Sequence, residues 1–369
     1  MTNRTRLWNV IRHHPVDRVP IAPFIHVNFV QAFFQDKTVD LISKTIEVYE
    51  HFGFDIIHRN CTPARNPIGP SGPNWRVETT TEQHVDNERT TTVVHTPAGT
   101  LREVQQINHV SKYDAEVSAV EYLIKTEQDF DIMAKYQPPQ MLLDVTPIRA
   151  ARQALGDKGL TAPWLQGAFN EVAYYYRRLD NLLLDPIDKP EFYHRMMEYF
   201  LSRNLQLVDQ YIEAGTDMLS VAGNIASGKV VGPDYFRAHI LPYEKRLIEH
   251  AQGRGVPVLY HNCGRARGLF PCYRELGMDV YESLTAEPYG DTVLEEALTA
   301  LAPDIVLHGG VDQIDFLMKA NPRQVRERVR SVLETTKNQG SFILGTSDYL
   351  HELTPYENIA ALSAALSES

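Results

Sequence analysis

Five short apolar runs in the second half decide the fold: MLSVAG (218–223), VPVLYHNC (256–263), DVYESL (279–284), DIVLHGGVD (304–312) and SFILGTS (341–347). Each is followed by a stretch with helical spacing: 233–253, 264–276, TVLEEALTAL (292–301), PRQVRERVRSVLETT (322–336) and PYENIAALSAAL (355–366). A further helix is predicted from Pro190 to Ala214, stopped by Gly215, because glycine reaches the left-handed turn that ends helices. The apolar runs are continuous instead of alternating, which is the pattern of parallel strands covered on both faces. Five βα units in a row leave an open doubly wound sheet or a (β/α)8 barrel. The first half supplies three more strand candidates, VPIAPFI (19–25), FDIIHRN (54–60) and TAPWLQGA (161–168). Three and five make eight, so the expected fold is an α/β (β/α)8 TIM barrel forming one domain over 1–369. Labelling the strand that ends at Gln166 as the fourth makes the numbering overrun by one.

Residues 75–108 break this rhythm, with many Thr and Val and turn signals at Asp86-Asn87 and Pro97-Ala98-Gly99. A small antiparallel β meander is expected there, after the second barrel strand, within an insertion over 62–125. It is either added edge structure or a lid over the barrel mouth.

The 369 residues are 43% hydrophobic and 22% charged, enough apolar material for a folded core. The net charge of −11 argues against nucleic-acid partners, which require basic patches. No apolar run has the length of a signal peptide or a membrane span, and three cysteines make no disulfide scaffold. A cytoplasmic protein without a membrane partner is expected.

In a barrel of this class, chemistry belongs at the C-terminal strand ends. His261 and Cys263 occupy positions i and i+2 of a strand end, so they point to one side and offer an imidazole and a thiolate, both good zinc ligands. Glu282 ends the next strand, 19 residues after Cys263, and Asp348 follows the last strand, which neighbours the first in a closed barrel. These four are the expected metal set, with His261, Cys263 and Glu282 as the catalytic residues. The ordinary alternatives are a packed core histidine and a small buried thiol. Cys61 and Cys272 are expected to be structural. Candidate substrate contacts at other strand ends are His26, His58, Arg59, Asn170, Tyr175, Asn224 and His308. For Asn224 a loop turn, and for the Tyr174–Tyr176 run a core position, are the competing readings.

RHHPVDRVPIAPF (12–24), FGFDII (52–57), AGTDMLSV (214–221), GPDYFRAHILPYEKRLI (232–248) and HNCG (261–264) together resemble the uroporphyrinogen decarboxylase superfamily. GMDVYESLTAEPYGD (277–291), VLHGGVDQIDFL (306–317) and TPYENI (354–359) extend the resemblance along nearly the whole chain. It implies a (β/α)8 barrel and one of two chemistries, metal-free decarboxylation or zinc-dependent methyl transfer involving a corrinoid protein or a thiol. The arginine-rich RQAGRY-type segment and FSDI-type aspartate of true decarboxylases are replaced here by PFIHVNFVQAFF (23–34) and IIHRNCT (56–62). The methyltransferase HxC pair matches His261 and Cys263, and the second cysteine of its PGCG-type segment falls on Asp348. Glu282 matches a glutamate used by the wider group of zinc methyltransferases, which includes cobalamin-independent methionine synthase. One thiolate with two carboxylates makes a harder site, suited to an ether oxygen. The resemblance therefore implies Zn2+ and a corrinoid carried by a partner protein, with a methoxylated aromatic as the methyl donor; homodimerisation stays open. A porphyrinogen-type decarboxylase and a non-catalytic corrinoid- or metal-binding barrel are the competing readings.

Overall fold

The structure is a computed structural model that describes residues 1–337 and 340–365. Parallel strands form its central layer. β1 (Ile56–His58) is followed by an antiparallel excursion, β2 (Arg76–Gln83), β3 (Asn87–Thr96), β4 (Gly99–His109) and β5 (Ala115–Glu121). The chain then returns through β6 (Gly159–Thr161) and β7 (Trp164–Gln166). β8 (Leu219–Ala222), β9 (Val258–His261), β10 (Val280–Glu282), β11 (Val306–Val311) and β12 (Phe342–Thr346) follow, each separated from the next by helix.

Backbone hydrogen bonds carry the strands round a ring. β7 through β12 pair in parallel order, and β1 pairs with β6. β6 and β7 act as one bent strand, because Met218 N donates to Thr161 O at 3.0 Å and Ser220 N to Pro163 O at 3.0 Å. The 19–25 segment closes the ring: Ala22 N donates to Leu344 O at 2.8 Å and Asp55 N to Ile21 O at 2.8 Å. Its only ladder contact among the described residues is the bridge Ile21↔Leu344. Pro20 and Pro23 lack the N–H groups that a longer ladder needs. The ring thus has eight positions, and Gln166 ends the third of them, which removes the overrun in the numbering.

Period-two alternation sorts the strand residues. Ile57, Leu160, Met218, Leu259, Val280, Val306 and Ile343 fill the barrel interior together with Leu7, Val10 and Ile11. The last three lie on α1 (Asn3–Ile11), which is capped by the Thr2 side chain and plugs the N-terminal end of the barrel. The alternate residues, such as Val221, Tyr260, Tyr281 and Leu307, pack outward against the helices.

The inserted sheet has the order β2-β3-β4-β5. It is one strand longer than the 75–108 stretch suggests, because 115–121 pairs back onto β4. The helix expected over 233–253 is interrupted by a π turn at Phe236–Ile240. Pro242, on the following turn, cannot donate an intrahelical hydrogen bond. The helix expected from Gly264 begins only at Phe270. Among the described residues no helix is long and apolar enough to cross a membrane.

Leu7→Ala empties a fully buried position in the plug. It should lower stability by about 2–5 kcal/mol. Leu142→Ala, at a position 85% exposed, should cost under about 0.5 kcal/mol. Urea unfolding midpoints of the two variants provide the check.

Candidate metal centre

β9 and β10 pair so that His261 sits beside Glu282, and β10 and β11 so that Glu282 sits beside His308. The same alternation that fills the lower barrel with aliphatic groups therefore places charged and polar groups at its C-terminal end. Arg59, directly after β1, grips Glu282 with both terminal guanidinium nitrogens, at 2.8 and 2.5 Å. Both side chains are almost completely buried. The guanidinium also lies over the rings of Phe24, at 4.3 Å, and Trp164, at 5.1 Å. Burial alone would raise the Glu282 pKa, but Arg59 and His261 outweigh it and hold the carboxyl well below its usual range.

Glu282 Oε2 is also 2.8 Å from His261 Nδ1. A carboxylate at that distance holds a proton on Nδ1 and turns Nε2 the other way. Nε2 lies 3.9 Å from Asp348 Oδ1. The donor atoms of His261, Cys263 and Asp348 all lie within 4.8 Å of one another. Donors bound to a tetrahedral zinc at ordinary bond lengths are about 3.3–3.8 Å apart, so a contraction of about 1 Å suffices. The set offers nitrogen, sulfur and oxygen; His261 is buried, while Cys263 and Asp348 are half-buried. Burial pulls the His261 pKa down, yet Cys263, Glu282 and Asp348 prevail and hold it well above its ordinary value. Two carboxylates and a thiol around one imidazole make a place suited to a cation. The Asp348 backbone is braced by Gln313, whose Oε1 accepts from Asp348 N at 3.2 Å.

The remaining sequence candidates separate. Glu282, expected as a fourth ligand, instead stands behind His261, with its oxygens engaged by Arg59 and the imidazole. Arg59, expected to hold substrate, is buried in that ion pair. His58 is adjacent to Arg59 in a strand and so points to the opposite face, where its Nε2 donates to Ile42 O at 3.0 Å. His308 is fully buried, with Nε2 donating to Ala22 O at 2.7 Å. Burial pushes its pKa down to about 4, leaving a neutral ring. With that tautomer, the 3.1 Å approach of its Nδ1 to Glu282 is a contact without a hydrogen bond. Gly345 makes room for the ring, since a Cβ there would stand 2.5 Å from His308 Nε2. Asn170, on the helix Ala168–Tyr175, donates to Asn224 Oδ1 at 2.9 Å, so the two asparagines tie that helix to the turn after β8. Cys61 and Cys272 are buried, and burial pushes the Cys61 thiol up to about 12.

His26 does reach the mouth, within an aromatic rim that the sequence reading missed apart from this histidine. Phe24 packs against Trp164 at 5.4 Å, His26 at 5.9 Å and Tyr349 at 6.0 Å, and Trp164 stands edge-on to His261 at 5.6 Å. Tyr175 lines a cavity of about 190 Å³ shared with Thr62, Arg65, Trp164, Gln166 and Tyr211. Tyr174 is exposed and Tyr176 is in the core. The inserted sheet reaches the rim as well, because Asp114 in the β4–β5 turn accepts from Tyr349 Oη at 3.4 Å.

The uroporphyrinogen decarboxylase (URO-D) family profile matches residues 108–369. The chain belongs to that family. Members similar to it include a uroporphyrinogen decarboxylase of Myxococcus xanthus, 23% identical over 52% of this chain and 54% of that protein. A methylcobamide:CoM methyltransferase, MtbA, of Methanosarcina acetivorans is 19% identical over 44% of this chain and 45% of that protein. The chain thus spans about half the length of the curated relatives it matches. A solved methyltransferase from Methanosarcina mazei aligns with 100% of this family member and 99% of its own chain, with a TM-score of 0.71 at 13% identity. At that identity the likeness establishes a shared fold.

Two expectations follow. Arg59→Met and Glu282→Leu should each destabilise by about 3–5 kcal/mol, because each strands a buried charge. The double variant should lose less than the sum, as a double-mutant cycle of unfolding free energies will show. Glu244 lies fully buried below the helix Ala168–Tyr175, accepts from Phe169 N at 3.1 Å, and is pushed by burial up to about 7. Its pKa is higher in the folded state than in the unfolded one, so its contribution is complete below about pH 4.5 and is lost as pH rises through 7. Relative to Glu244→Gln, the wild type should lose about 3 kcal/mol across that window, read from unfolding curves at stepped pH.

Proposed function

We propose that this URO-D family member is a zinc-dependent methyltransferase that moves a methyl group from a small methoxylated aromatic to a corrinoid carried by a partner protein. The observation that carries the reading is the convergence of His261 Nε2, Cys263 Sγ and Asp348 at the barrel mouth, inside an aromatic rim. The methyltransferase relatives support the same chemistry.

His261, Cys263 and Asp348 would hold the zinc. When bound, zinc supplies Lewis acidity towards the ether oxygen of the donor. Glu282 holds the Nδ1 proton of His261, so Nε2 is the nitrogen that would give up its proton and bind the zinc. Arg59 fixes Glu282 in turn and keeps it ionised. Phe24, Trp164 and Tyr349 offer ring faces and edges to a flat donor, and the cavity beside Trp164 gives a small molecule room. A corrinoid protein docked over the mouth would exclude water from the reacting groups.

The competing reading is decarboxylation of a porphyrinogen, the activity named for other relatives. It requires free cations for several carboxylates. Arg59 and Arg65 are instead each neutralised by a glutamate, Glu282 and Glu171.

Protein purified without chelators should carry about one zinc per chain by elemental analysis. Cys263→Ala and Asp348→Ala should lose most of it, and Glu282→Gln should weaken zinc affinity about 10- to 100-fold. With a methoxybenzoate and reduced cobalamin, the zinc-loaded protein should generate the methylcobalamin absorption spectrum. Absence of zinc from the wild type would end this reading.

A further inference from the structure

The inserted sheet has an inner face of two kinds. Val77, Val94 and Leu101 are cross-strand neighbours, and Val94 and Leu101 are fully buried. The next row on the same face is Thr79, Thr92 and Glu103, again direct cross-strand partners. This polar row borders a cavity of about 280 Å³ between the sheet and the barrel, whose walls also include Arg65, Gln105 and Tyr175.

Glu103 is only 5% exposed. No side-chain hydrogen bond or ion pair engages its carboxylate among the described residues, and Lys125 acts on it only through space. The Lys125 ammonium is itself held by Arg102 O, at 2.7 Å, and by Glu121, at 2.9 Å. Arg65, the cation in the cavity wall, is gripped by Glu171 through both terminal nitrogens. Counting Arg65, Glu171 and an ionised Glu103, the cavity carries one uncompensated negative charge. An unpartnered buried carboxylate is costly, and a fold keeps one where a ligand supplies the partner.

We propose that this cavity is a binding site for a small organic monocation, an ammonium group that pairs with Glu103 while its apolar part lies against the Tyr175 ring. Thr79, Thr92 and Gln105 supply oxygens that accept from the remaining N–H groups. Tyr175 provides a ring face for an alkyl or aryl substituent, and it also lines the cavity beside Trp164. Burial, which pushes the free Glu103 carboxyl up to about 7, is the cost that such a ligand would offset. The site stands apart from the metal ligands and does not depend on the methyl-transfer reading.

Isothermal titration of the full chain with benzylammonium, and with benzyl alcohol as a neutral counterpart of similar shape, tests the site. The wild type should prefer benzylammonium, and Glu103→Gln should weaken that binding about 10- to 100-fold. Thr92→Val, from the same row, should weaken it too and gives a second arm should the Gln variant fail to fold. Cys263→Ala should bind benzylammonium as the wild type does. Equal affinity for the two probes, unchanged binding in Glu103→Gln, no binding by the wild type, or loss of binding in Cys263→Ala would each overturn the proposal.

Discussion

The ion pair between Arg59 and Glu282 governs the mouth of this barrel. It joins the second strand of the ring to the sixth across the interior, and both groups are almost wholly removed from water. Desolvating two such charges costs several kcal/mol each, which attraction alone barely recovers. Here the cost is further offset by aromatic faces over the guanidinium and by an imidazole on the carboxylate. The consequence is geometric. Glu282 cannot rotate without stranding Arg59, so the His261 ring cannot rotate without losing Glu282. A histidine at a strand end would otherwise choose among rotamers and two tautomers; this one is held to a single arrangement, with Nε2 directed towards Asp348 and Cys263.

Much of this was legible in the sequence. Continuous apolar runs separated by helical spacing specify parallel strands, and the i, i+2 relation of His261 and Cys263 already places both on one side. The same parity rule also shows that His58 and Arg59 cannot share a face, so the two neighbouring strand-end candidates cannot both face the barrel interior. What parity does not reveal is which charged groups find each other across the barrel. Arg59 and Glu282 are far apart in the chain, and only closure of the ring makes them neighbours. Glu282 therefore read as a ligand, where the structure sets it behind His261 and against its Nδ1. The aromatic rim was hidden for a similar reason: Phe24, Trp164 and Tyr349 come from three separate strand ends, and no local pattern marks them as a group.

The inserted sheet was harder to read. Its Thr- and Val-rich strands announce an antiparallel meander, but β5 is mostly exposed and lies beyond that Thr-rich stretch. Glu103 sits within LREVQQI, where an acid beside an arginine and two glutamines ordinarily signals the solvent face of a strand. Here the pairing turns it inward, because Leu101, two residues earlier, is committed to the core.

These features place the charges of the molecule in order along the barrel axis. At the closed end, α1 and one layer of aliphatic side chains exclude water. A buried layer containing Arg59, Glu282 and His308 follows. His261, Cys263 and Asp348 stand at the boundary of that layer, dry on one side and open on the other. Electrostatic attraction to a cation is strongest where water is excluded, while exchange of ligand needs an open side. A donor set deeper in the barrel would be closed to substrate, and one further out would be screened by solvent. The position of His261, at the last residue of its strand and buried beneath two half-buried partners, meets both requirements. It can do so because Glu282 and Arg59 supply from below the rigidity that neighbouring loops could not.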